Sequence, residues 1–101
     1  MIPIDKVKSI IDNYNSLEKS LSSSDIDKKE FVKKSKEYSS IGQVINEARG
    51  YLSFEKEKKE LEKIINEKDS DKEMVKLAEN ELTQLVKKQE ENEKKLKIFL
   101  L

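Results

Sequence analysis

The sequence predicts an all-α chain: an antiparallel three-helix bundle at one end, extended by a long two-helix coiled-coil hairpin. Three observations carry that prediction. Ala78, Leu82, Leu85, Gln89, Asn92, Leu96 and Phe99 are spaced alternately by four and three residues, with Lys and Glu filling the positions between. That spacing is the seam of a helix packed coiled-coil fashion against a partner. Charged residues make up 42 % of the 101 residues and hydrophobic ones 35 %, with only six aromatics. Such a chain lacks the large apolar groups of a thick globular core, yet its apolar residues recur with a helical period that a disordered polyelectrolyte would not show. Finally, one Pro and two Gly leave long stretches uninterrupted. At this length the chain is one domain at most.

The first helix is expected over residues 4–21. Pro3 suits a helix start, where its missing amide costs nothing, and Asp5 favours the positive end of the helix dipole. Ile4, Val7, Ile10, Ile11, Tyr14, Leu17 and Leu21 then form one apolar stripe. Ser22-Ser23-Ser24 ends it, because serine hydroxyls offer the backbone local hydrogen bonds that compete with the helix ladder.

The second start is written in Asp27 as cap, Glu30 three residues on, and Ile26 with Phe31 as a hydrophobic staple. With no proline before Glu67, the pattern predicts one continuous, bent helix over residues 28–67. Its apolar stripe runs through Phe31, Tyr38, Ile41, Ile45, Ala48 and Leu52, then slips in phase to Tyr51, Phe54, Leu61 and Ile65. A stripe that changes face implies different partners along the length. Gly42 and Gly50 each cost on the order of 1 kcal/mol relative to Ala in a helix interior. Either they admit a close neighbour, or Ser39-Ser40-Ile41-Gly42 kinks the rod.

Lys68-Asp69-Ser70 reverses the chain into the third helix, expected over residues 71–100, with Ser70 and Glu73 as a capping box. Folding back near residue 69 sets Ile65 by Met74, Leu61 by Ala78, Phe54 by Leu85 and Tyr51 by Gln89. The first helix is long enough to cover only the stretch from Phe31 to about Ile45, and its start falls beside Leu96 to Phe99. Gln89 and Asn92 are polar at seam positions, where they either fix register at a cost in stability or sit wet in a thin arm.

Composition excludes several kinds of chemistry. The 21 Lys+Arg balance 21 Asp+Glu, so no net field recruits nucleic acid or an anionic membrane over long range. Without Cys or His, the usual zinc or iron sites and disulfides are not expected, and no cofactor is implied. No window approaches the ~18 apolar residues of a membrane span. Met1 to Asp5 lacks the basic and apolar regions of a signal peptide, which makes the cytoplasm the default compartment.

For catalysis only Ser, Tyr, Lys and carboxylates remain, and on the outside of a thin arm they are wet and lack an activating partner. No catalytic residue is expected, and the chain is read as a non-enzyme. The doublets Lys28-Lys29, Lys33-Lys34, Lys58-Lys59, Lys87-Lys88 and Lys94-Lys95 are interleaved with Glu rather than aromatics, as on a solvated helix face. Gly42 to Gly50 has no phosphate-cradling spacing. The sharpest functional signal is the apolar end, Ile98, Phe99, Leu100 and Leu101. Phe99 is expected to pack under the first helix, but four apolar residues in succession cannot all face one partner. The others are candidates for contact with another domain or a partner. On this ground the chain reads as a piece of something longer.

Three stretches taken together resemble a known family. Glu30-Phe31-Val32-Lys33-Lys34-Ser35-Lys36-Glu37-Tyr38-Ser39-Ser40-Ile41 is similar to the "F…S(K/R)EY(S/A)xL" stretch near the start of bacterial-type class I peptide chain release factors. Met74-Val75-Lys76-Leu77-Ala78-Glu79-Asn80-Glu81-Leu82 is similar to their "MxxLAxxEL" segment. Leu96-Lys97-Ile98-Phe99-Leu100-Leu101 resembles the apolar end that leads, in that family, into a Pro-Lys-Asp linker. The short lead-in and the Leu-Leu ending look more like the factor that reads UAA and UAG than its sister that reads UAA and UGA.

The resemblance implies that residues 1–101 are a single N-terminal helical domain of a protein that terminates translation. It implies a complete factor that reads the stop codon with a tripeptide loop and presents Gly-Gly-Gln to the peptidyl-tRNA ester. Neither motif is present here, so no decoding or catalytic residue carries over, and no sequence-specific nucleic-acid reading is expected of this piece. For this domain the resemblance implies contact with the ribosome at the large-subunit stalk base, with the remaining domains of the same protein, and with the GTPase that recycles the factor. The alternative reading is a stand-alone structural coiled coil that oligomerises through Leu96 to Leu101.

Overall fold

The computed structural model describes residues 1–101 as four α-helices without strands: α1 (Ile4–Leu21), α2 (Lys28–Gly42), α3 (Ile45–Asn66) and α4 (Lys72–Phe99). The molecule measures 60 × 28 × 19 Å, with a radius of gyration of 18.3 Å. A compact chain of this length would have about 13 Å. The chain is an elongated pair of hairpins. α1 folds back on α2, α3 folds back on α4, and the hairpins overlap where α1 lies against α3. No helix is long and apolar enough to cross a membrane.

The single helix expected over 28–67 is two helices. Gln43 and Val44 interrupt it: their amides donate to the carbonyls of Ser40 and Ile41 at 3.3 and 2.9 Å, tightening the last turn of α2. Val44 then leaves helical geometry (φ −123°, ψ 6°), and its carbonyl receives the Ala48 amide at 2.9 Å to start α3. The cause lies in the residues. Ser39, Ser40 and Gly42 weaken the ladder, and the break turns Ile41, Val44 and Ile45 all into the core, where each is buried. The phase slip in the apolar stripe therefore marks a joint.

The starts of α2 and α4 also differ in detail from the sequence expectation. Asp27 holds the N-cap position of α2 with an extended backbone, but its side chain caps no amide, and Phe31 is exposed rather than stapled. At α4 the cap is Asp71, whose carboxylate accepts from the Glu73 amide at 3.5 Å. Ser70 is held in the turn instead, its amide donating to the Glu67 carbonyl at 3.2 Å.

The core sits at the overlap. Val7 and Leu96 are fully enclosed, and Ile2, Ile10, Leu17, Ile41, Val44, Ile45, Ala48 and Tyr51 close around them. Tyr51 fastens the chain start: its hydroxyl accepts from the Ile2 amide at 2.9 Å and donates to the Ile2 carbonyl at 3.3 Å. The chain start, Met1 and Ile2, therefore lies at the level of Glu93 and Tyr51, while Lys6 in the first turn of α1 lines one groove with Phe99 and Leu100. Ile10 and Asn13 of α1 and Ile41 of α2 border the same two residues further along.

Along α4, all seven seam residues are buried or half-buried, while most of the residues between are exposed. Register is fixed by three cross-helix contacts. Gln89 Nε2 donates to the Tyr51 carbonyl at 3.3 Å, Lys95 Nζ reaches Glu47 Oε1 at 3.4 Å, and Asn92 lies against Gly50. Asn92 is only 4 % exposed, so it is part of the packed seam rather than a wet residue of the arm. A Cβ on Gly50 would stand 2.8 Å from Asn92 Nδ2, whereas one on Gly42 would meet only Tyr14 at an ordinary 3.7 Å.

The two glycines should respond oppositely to the same substitution. Gly50→Ala gains helix propensity but overpacks the seam, for a net loss of about 1 kcal/mol in urea unfolding. Adding Asn92→Ala to it should recover part of that loss. Gly42→Ala should be neutral or stabilising by up to about 1 kcal/mol.

Candidate docking surfaces

The four residues expected at the apolar end divide as follows. Phe99 is half-buried against the core, while Ile98 is 70 % exposed, Leu100 42 % and Leu101 fully so. One helical turn cannot point successive residues in a single direction, so packing Phe99 turns Ile98 and Leu100 outward. Beside this end runs an open groove of about 410 Å³ between α1 and α2, with Ile10 and Ile41 at its floor and Lys6 and Glu37 at its edges. Asn13 Nδ2 donates across it to Glu37 Oε1 at 3.3 Å.

The lysine doublets lie on exposed faces. Lys95 and Lys88 are paired to Glu47 at 3.4 Å and Glu91 at 3.9 Å, and Lys58 sits 6.0 Å from the Phe54 ring. These three cations are spent on neighbours of the same chain and add nothing to a free basic stripe. Four of the hydroxyls are occupied locally. Ser9, Ser22 and Thr83 donate to carbonyls one turn back on their own helices. Ser53 Oγ lies 3.2 Å from both the Gly50 carbonyl and the Glu57 carboxylate. An exposed carboxylate is too weak a base to activate a hydroxyl, so this contact is structural. No group of three potential metal-ligating side chains converges.

Two titratable groups are perturbed, and both belong to junctions between helices. Tyr14 and Tyr38 stack with ring centres 4.4 Å apart and planes 16° from parallel. Arg49 of α3 lies 5.9 Å from the Tyr14 ring, and the Tyr38 hydroxyl donates to Glu18 at 3.4 Å. Hydrogen bonding to Tyr14 foremost, then partial burial and the negative charge of Glu18, push the Tyr38 phenol up to about 12. At the other junction, the Met1 amino group, 2.6 Å from Glu93, holds that carboxyl below its usual range, with Lys97 at 3.5 Å assisting. Neither group faces a substrate-sized enclosure.

Apolar periodicity alone leaves Tyr14 and Tyr38 unpaired. Turn arithmetic brings them only to within about one helical turn of each other: the α1–α2 turn, residues 22–27, is centred between Ser24 and Asp25. The raised Tyr38 value implies a direction for stability. The folded state holds this proton more tightly than the unfolded chain, so the contribution is complete below about pH 10 and is lost as pH rises toward 12. Ultraviolet titration should show one of the three tyrosines ionising late, and Tyr38→Phe should remove that late component and flatten the alkaline loss of stability.

Comparison with known proteins adds a family. Residues 10–101 match the family described as the PCRF domain. The chain is 50 % identical over 101 residues to "Peptide chain release factor 1" of Pelagibacter ubique (strain HTCC1062), covering 100 % of this chain and 28 % of that protein. It is 36 % identical over 100 residues to "Peptide chain release factor 1" of Bartonella tribocorum (strain CIP 105476 / IBS 506), covering 99 % of this chain and again 28 % of the relative. No solved structure matches. The chain thus spans little more than a quarter of the length of these curated relatives.

Proposed function

The chain belongs to the PCRF-domain family, and from that membership we propose that it is the N-terminal helical domain of a peptide chain release factor, acting in translation termination. The observation that carries this reading is the 50 % identity to a protein of that name over the whole length of this chain. In this reading the domain works in the cytoplasm as a spacer and docking element on the ribosome. It contributes no decoding or hydrolytic group of its own. Its contacts are the stalk-base region of the large subunit and the GTPase that recycles the factor.

Ile98, Leu100 and Leu101 are assigned to contact with the remaining domains of the same protein. Their exposure beside a packed Phe99 supports that role, since an apolar patch at the end of an otherwise charged helix favours association. The same patch is the basis of the alternative, an oligomerising coiled coil. The two readings differ in what the patch covers.

The direct test replaces the first 101 residues of the Pelagibacter relative with this chain and measures release of peptide from stop-codon-programmed ribosomes. The chimera should keep stop-codon-dependent release. Deleting the domain should raise the half-saturating factor concentration by about tenfold while leaving the maximal rate within about twofold. A chimera without release activity would reject the reading, as would a deletion that abolishes the maximal rate itself.

A further inference from the structure

The arm formed by α3 and α4 carries an unpartnered groove, and we propose that it receives a basic amphipathic helix of another protein. The groove, about 660 Å³, is built from positions 57, 60, 61 and 64 of α3 and 81, 84, 85 and 88 of α4, the same i, i+3, i+4, i+7 set on each helix. That set is the side of a two-helix pair on which a third helix would lie. Leu61, Ile64 and Leu85 form its floor and remain half-exposed. Leu77, 62 % exposed and one turn before Glu81, stands next along α4 toward the tip, in a neighbouring depression with Glu73, Lys76 and Asn80. From Leu77 to Lys88 the distance is roughly 16 Å along the helix axis, enough for about three turns of a partner helix.

The rim selects the partner's charge. Glu57, Glu60 and Glu81 flank the floor and are exposed. The only cation on the rim, Lys88, lies 3.9 Å from Glu91 and is thereby offset. In a chain with no net charge this is a locally acidic face. It repels phosphate, which excludes RNA as the occupant, and it complements lysines or arginines flanking an apolar seam. The proposal stands on the side chains of the arm and does not depend on a role in termination.

The test uses the full chain and three synthetic peptides of about fourteen residues, roughly 21 Å as helices. One has a leucine seam flanked by Lys, its twin has Glu in place of Lys, and the third is a scrambled Lys peptide without helical period. The Lys-flanked peptide should bind and shift amide resonances of residues 57–64 and 77–88. The surface variant Glu57→Lys/Glu60→Lys/Glu81→Lys should weaken it about tenfold and bind the Glu-flanked twin instead. Leu77→Ser, at an exposed position, should weaken both. Equal binding of the scrambled peptide, shifts confined to other faces, occupation of this face by a second copy or by duplex RNA, or no binding at all would overturn the proposal.

Discussion

The seam between α3 and α4 closes because Gly50 presents no side chain to Asn92. A methyl group there would stand 2.8 Å from the amide nitrogen of a residue that is almost wholly enclosed. Close approach at this level aligns Gln89 with the Tyr51 carbonyl and Lys95 with Glu47, and it brings Leu96 into the centre of the core. α3 then carries two loads on its first turns. One side takes α4, and the other takes α1 through Ala48 and Tyr51. All the buried residues except Ala78 lie at the overlap of the two hairpins, and the arm beyond it is held by a strip of half-buried apolar residues.

Much of this was legible from residue spacing. The bounds of α1, the start of α2 at Lys28 and the whole α4 seam follow from apolar period and turn residues. So does the α3–α4 register, since counting outward from the turn near residue 69 puts Tyr51 beside Gln89. The joint at Gln43–Val44 was less legible. Ile41, Ile45 and Ala48 keep helical spacing across it, so the pattern reads through a break that only the non-helical torsions of Val44 reveal. The serines, the glycine and the phase slip were its signals, and each alone has another explanation. The displaced cap at Asp71 and the Tyr14–Tyr38 stack depend on single-residue placement in turns, which periodicity does not resolve. At the candidate site, the division between a packed Phe99 and outward Ile98 and Leu100 follows from helix geometry. What those outward residues touch does not.

The perturbed and hydrogen-bonded side chains of the fold serve its own packing. Ser9, Ser22, Ser53 and Thr83 are bonded to nearby carbonyls, the two perturbed groups serve helix junctions, and Lys88, Lys95 and Lys97 pair with glutamates of the same chain. What varies over the surface is instead apolar exposure: the end of α4, and the groove along the arm with its acidic rim. The chain that carries these surfaces belongs to the PCRF-domain family.

Native-state hydrogen exchange followed by NMR tests the central claim most directly, because it reads local stability amide by amide. The slowest exchange should cluster at the overlap, in residues 45–51 of α3 and 92–96 of α4, with protection falling along the arm toward the turn at residues 67–71. Slowest exchange in α2, or uniform protection from the overlap to the tip, would contradict a fold anchored at the Gly50–Asn92 contact.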